Sequence, residues 1–348
     1  MYKMNRSLLL CSLLLVSMLP LQAAVIQFNG AIDLTFADWG MDGAEGGNPY
    51  FDVYEVYLLG RVDITEDVAG YFELRNEHSG EAILRQGYIK WVITEPLQIN
   101  AGYFYMPIGQ YWMTYYASTR KLVTYVYAMR LINVTPWGEA GVMIQGEVPM
   151  LNYRVAVVNG LNQNYIDNIK PREARQTREN NWNKTVGGRL GFSPIEELEV
   201  GFSYSTGKYD DAVLRDLQFL DADISLDIEN LSIRGEWVQS IADDSLGTDE
   251  ITTSGFYAHI AYKIMTSKLG LYYIEPAVRY EYIDPGRDMR DRFTIGPTTT
   301  GKISAITGGL NISPRQHFLI KCEYRMTMEE LDPQLENDAV AVQCCIDF

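Results

Sequence analysis

The chain has 348 residues, with 45 Asp and Glu against 29 Lys and Arg, a formal charge of −16. That acidity excludes nucleic-acid binding, which calls for basic patches, and no apolar run reaches the roughly 20 residues of a spanning helix. Beyond Cys11, the odd set Cys322, Cys344 and Cys345 has no CxxC spacing, which excludes a disulfide framework or a zinc site. Cys344 and Cys345 are neighbours on a predicted strand and point to opposite faces. No metal or cofactor is expected.

Residues 1–23 have the three parts of a secretory signal peptide. Lys3 and Arg6 give the positive start, Leu8 to Leu19 the apolar stretch, and Gln22-Ala23-Ala24 the small-residue cleavage region. Cys11 sits inside the apolar stretch behind bulky Leu10, which disfavours a lipoprotein. Residues 24–348 are expected to form one exported domain. Without Lys3 and Arg6 it carries 45 acids against 27 bases, or −18.

Period two, rather than 3.6, recurs from there to the end. Ile26, Phe28, Ile32, Leu34 and Phe36 alternate with Gln27, Asn29, Asp33 and Thr35, and Phe72 and Leu74 with Glu73 and Arg75. The pattern predicts strands over 26–36, 51–63, 68–77, 82–93, 97–105, 138–147, 151–160 and 183–192. The second half gives 197–206, 219–228, 231–239, 254–264, 272–282, 302–311, 317–326 and 339–348. That is about sixteen, each near the roughly 9–11 residues of a tilted membrane strand. Pro276 fits poorly in the middle of its strand, because a closed barrel has no free edge, and calls for a bulge or another boundary.

The connectors alternate in length. Short turns (65–67, 94–96, 148–150, 193–196, 229–230, 265–271, 312–316) take turns with longer loops (37–50, 106–137, 161–182, 207–218, 240–253, 283–301, 327–338). Only 78–81 breaks the alternation. Such alternation suits an up-and-down transmembrane β-barrel with both termini on the periplasmic side. Charge on the lipid face costs roughly 2–4 kcal/mol for Arg or Lys at midplane, so faces such as Asp221/Asp223/Asp227 belong to the lumen. So many charges suggest a watery interior, because unpaired buried charge is very expensive. Aromatics at strand ends fit two girdles: Tyr71, Trp91, Phe192 and Phe348 at one edge, Phe36, Tyr204 and Trp237 at the other.

In the last strand Val340, Val342, Cys344, Ile346 and Phe348 share one face. Ending flush on an aromatic resembles the close of bacterial outer-membrane barrels, and marks Phe348 as the membrane-assembly signal. Connector 106–137 is the longest. It carries Arg120, Lys121 and Arg130, no Asp or Glu, and the tyrosines Tyr111, Tyr115, Tyr116, Tyr125 and Tyr127. Here the chain resembles trimeric Gram-negative porins, whose third outer loop folds inward to narrow the channel. More narrowly it looks like the phosphate-selective porins, on Gly102-Tyr103-Phe104-Tyr105-Met106-Pro107-Ile108-Gly109, Arg130, Pro136-Trp137-Gly138-Glu139-Ala140-Gly141 and Val157-Val158-Asn159-Gly160.

The resemblance implies an anion channel in the bacterial outer membrane, a homotrimer among lipids and lipopolysaccharide, passing small anionic or neutral solutes. By strand parity the basic wall candidates are Arg75, Arg154, Arg189, Arg234, Arg279, Lys321 and Arg325. Guanidinium groups suit that role because they pair with oxyanions bidentately without losing charge. The wall also carries Glu73, Glu77, Asp221, Asp223, Glu236, Glu275, Glu281 and Glu323, so pairing across strands is the competing reading. Arg120, Lys121 and Arg130 either face the pore or dock the loop on that acidic wall; Tyr116 and Tyr125 go with them. A dense basic ladder is not evident, and a general or cation-leaning porin, or a structural or adhesive barrel, is the alternative. His78, His259 and His317 have no Ser-centred Gly motif beside them, so no catalytic residues are expected.

Overall fold

Alternating side chains make each predicted segment a strand, and the strands close on themselves. The computed structural model describes residues 25–40, 48–77, 80, 82–162, 181–243, 249–266, 270–286, 301–330 and 335–348. The expected signal peptide, His78, the Glu77 side chain and most of loop 161–182 lie outside the described residues. In chain order the strands are β1 (Val25–Asp38), β2 (Tyr50–Asp52), β3 (Glu55–Asp63), β4 (Val68–Glu77), β5 (Ile83–Thr94) and β6 (Leu97–Tyr105). Then come β7 (Gly138–Val148), β8 (Leu151–Val158), β9 (Thr185–Ile195), β10 (Leu198–Lys208), β11 (Asp216–Ile228) and β12 (Leu231–Asp243). The last are β13 (Glu250–Tyr262), β14 (Ile264–Met265), β15 (Tyr273–Asp284), β16 (Ile303–Arg315), β17 (Phe318–Glu329) and β18 (Ala339–Asp347).

Two pairs, β2 with β3 and β13 with β14, are halves of single crossings, so the wall has sixteen antiparallel strands. It closes through β1, which pairs β3 from Val25↔Asp63 to Ile32↔Val56 and β18 from Ala31↔Asp347 to Asp38↔Val340. Phe348 completes the seam. Its backbone N–H donates to the Gly30 carbonyl and its carbonyl accepts from the Gly30 N–H, both at 3.0 Å. A Cβ at Gly30 would meet the Phe348 ring at 2.6 Å, so the terminal aromatic lies directly over that glycine.

Pro276 is paired in register with Leu310 on one side. On the other side the ladder breaks between Ala261↔Ala277 and Ile264↔Ile274, with Tyr262 opposite Pro276 and Lys263 opposite Glu275. Pro has no N–H to donate there. The result is a gap without a register shift.

Apolar faces point outwards: Ile26, Phe28, Ile32, Leu34, Val155, Leu190 and Ile260 are all exposed on the outer wall. Tyr204 and Trp237 lie on that wall too, whereas Tyr71 turns inwards and stacks on Tyr88 at 5.1 Å, so it does not belong to the girdle. Polar faces point inwards, and many of their charged groups, among them Glu55, Arg75, Asp221 and Lys321, are buried. Segment 106–137 enters the barrel and packs there. Met106, Ile108, Val134 and Trp137 join Val158, Leu217, Phe219 and Ala242, while Tyr111, Tyr115, Tyr125, Met129 and Ile132 join Val238, Tyr257, Ile283 and Ile303. The segment contains a 3-10 turn at Tyr111–Thr114 and a short helix at Tyr127–Leu131. Gly255 makes room for that helix: a Cβ there would lie 2.9 Å from Ala128 Cβ and Ile132 Cδ1.

Candidate channel constriction

An irregular segment at membrane depth must find protein partners for its backbone groups. The wall supplies them by charge. Glu236 accepts from the N–H groups of Gln110 (3.1 Å) and Tyr111 (2.8 Å), and Ser203 Oγ accepts from Gly109 at 3.0 Å. Glu55 accepts from Ala117 at 3.0 Å, Glu323 from Val123 and Thr124, and Glu281 from Tyr127 at 2.8 Å. Wall cations take the carbonyls. Lys321 donates to Ala117 and Arg120, Arg279 to Thr124 (2.8 Å) and Tyr125 (3.2 Å), and the Asn311 amide to Lys121 at 2.9 Å. Gly109 is the hinge of the first contact, with φ +65° and no room for a Cβ beside the Glu236 carboxylate.

The loop's own bases sit in different surroundings. Arg120 is buried, donates to Glu55 Oε1 at 3.0 Å and to the Tyr115 and Leu122 carbonyls, and lies 4.1 Å over the Tyr125 ring. Burial opposes its charge, which the Glu55 carboxylate compensates. Arg75 meets the same Glu55 oxygen at 2.8 Å and covers Tyr115, which stacks on Tyr125 at 4.6 Å. Tyr125 also donates its hydroxyl to Glu55. Lys121 pairs with Glu275 at 2.7 Å and keeps 29% of its side chain exposed. Arg130 is half-buried, 4.2 Å over Tyr125, and Tyr116 donates to Glu73 at 2.8 Å.

All seven wall bases face the interior. Arg189 binds Asp223 and Glu199, both at 2.6 Å; Arg234 binds Asp227; Arg279 and Arg325 share Glu281 at 3.3 and 3.5 Å. Arg154 differs from the other six. Among the described residues it meets no carboxylate and no carbonyl, only the Met113 sulfur at 3.9 Å and the Trp112 ring at 5.3 Å. Register adds what parity lacked: Arg234, His259, Arg279, Thr307 and Arg325 are successive cross-strand partners, one transverse row from β12 to β17 that is basic at every position but Thr307. Two residues further from the periplasmic turns lies a second row, Asp223, Glu236, Tyr257 and Glu281. The sequence reading missed Glu55 altogether; the signal for it was a long loop with no acid of its own.

A closed sixteen-stranded barrel with a loop seated in its lumen defines a porin-type channel of the bacterial outer membrane. Residues 60–344 match the family model described as putative beta-barrel porin-2, OmpL-like, and the chain belongs to that family. No curated protein matches it in sequence. Among solved structures it is similar to the anion-selective porin from Comamonas acidovorans, with 13% identity and a TM-score of 0.66 over 93% of this chain and 99% of that one. It is also similar to Salmonella typhi OmpF, solved with daunomycin, with 14% identity and a TM-score of 0.64 over 93% and 97%. The trimer form of OmpT, an outer membrane protein of Vibrio cholerae, has 11% identity and a TM-score of 0.61 over 94% and 100%.

Proposed function

We propose that the protein passes small hydrophilic solutes by passive diffusion, with loop 106–137 as the constriction and a bias towards anions. The observation that carries this reading is the way the wall's charges hold the loop inside the barrel. Diffusion past such a narrowing needs charges that attract a solute yet release it. Arg154 suits that role, being half-buried and without a carboxylate, as does Lys121 with its partly exposed ammonium. A narrow low-dielectric passage magnifies both. No bond is made or broken in this mechanism, so the protein is not an enzyme. The trimer form of a similar barrel supports a homotrimer, with the apolar outer band against outer-membrane lipid and lipopolysaccharide.

Planar bilayers under a salt gradient test the reading. Discrete conductance steps with an anion-signed reversal potential are expected, and Arg154→Glu is expected to weaken or invert that sign. A cation-signed reversal in the unmodified protein would hand selectivity to the acidic wall, and absence of steps would make this a structural barrel.

A further inference from the structure

Beneath the loop, towards the periplasmic turns, lies a cavity of about 370 Å³. Its size falls in the lower part of the range for small-molecule sites, roughly 300–1,000 Å³, and exceeds what a bare ion needs. Three elements build it. The basic row supplies Arg234, His259 and Arg279; the loop supplies Lys121; the gap in the ladder beside Pro276 supplies Lys263, across from Glu275. Asp227 is the lining carboxylate, and it is taken by Arg234.

One of these cations is not neutralised among the described residues, and one ring nitrogen is unsatisfied. Lys263 has no ion pair; its ammonium lies 4.7 Å over the Tyr273 ring. His259 Nε2 is buried with no hydrogen-bond partner. Nearby carboxylates are taken by other groups: Glu275, across the ladder from Lys263, by Lys121 and Asn311, and Glu281 by Arg279 and Arg325. An unpaired cation lining a cavity, with an unsatisfied ring nitrogen buried in its wall, is costly unless something satisfies it.

We propose that this cavity is a binding subsite for small solutes bearing a carboxylate or phosphate group. The oxyanion contacts Lys263 and the Arg234 guanidinium, and the Tyr273 ring flanks the rest of the solute. The subsite deepens the channel reading and rests on it only for the route of entry. It gives transiting anions a place to dwell on the periplasmic side of the constriction.

The test is calorimetric titration of benzoate, and separately of inorganic phosphate, into the full folded barrel in detergent, with benzyl alcohol as the uncharged control. Saturable binding of benzoate or phosphate, and none of benzyl alcohol, is expected. Lys263→Gln is expected to weaken it at least about tenfold, the loss of one charge-assisted contact. Arg234→Gln is a second variant should the first fold poorly, and Lys208→Gln, in a partly exposed pair with Asp216 at the far end of β10, should leave binding unchanged. Failure of both anions to bind, or equal binding by Lys263→Gln and the unmodified protein, overturns the proposal. Conductance of the same preparations separates the two readings: a barrel that conducts without binding loses only the subsite, and one that binds without conducting loses the channel.

Discussion

Glu55 and Arg154 both point into the lumen, yet their surroundings are opposite. Glu55 has two guanidinium groups, a tyrosine hydroxyl and a loop N–H around it, and is buried. Arg154 has a sulfur and an indole, and remains half-buried. The difference is the loop. Where the loop meets the wall, charges replace the water its backbone would otherwise need. Where the wall charge stands apart from the loop's backbone, it is left for solutes. Charge inside a barrel is therefore not by itself a sign of water.

Breaking the gripped side should have the largest effect. Glu55→Ala leaves Arg75 and Arg120 as buried charges without their shared partner, a loss of about 3–5 kcal/mol. Urea unfolding of the detergent-folded barrel should show that drop, and limited proteolysis should find loop 106–137 more accessible. Gly109→Ala comes next. A left-handed backbone and a crowded Glu236 carboxylate make it cost about 1 kcal/mol or more in the same unfolding assay.

On the other side, Arg154→Glu should leave stability within about 0.5 kcal/mol, since it breaks no ion pair, while its effect is read in the reversal potential. The smallest effect is expected at Arg61, whose pair with Asp63 at 2.7 Å is exposed. Arg61→Ala should cost about 0–1 kcal/mol, and a larger drop would mean that exposed lumen pairs carry more of the fold than their setting implies.

Much of the wall was legible in the sequence because period two is written residue by residue. Segments 68–77 and 97–105 coincide with β4 and β6, and the sixteen crossings follow from alternation together with loop length. Pro276 marked a real break because a missing N–H is a local property. The row from Arg234 to Arg325 was not legible: it depends on how far each strand slides past the next, which no single strand records. Tyr71 was placed in the girdle for the same reason, since its end-of-strand position says nothing about which face it takes. The loop's length and cationic character were visible, but its grip was not. Its backbone is held by Glu55, Glu236, Glu281 and Glu323, through contacts 62 to 200 residues apart in sequence.

The most direct measurement is the single-channel conductance of the unmodified protein and of Glu55→Ala in the same planar bilayer. If the wall's carboxylates hold the loop as a constriction, the variant should open to larger, less uniform steps. Steps of unchanged size, in a variant whose loop has become protease-accessible, would contradict the account and place the narrowing elsewhere.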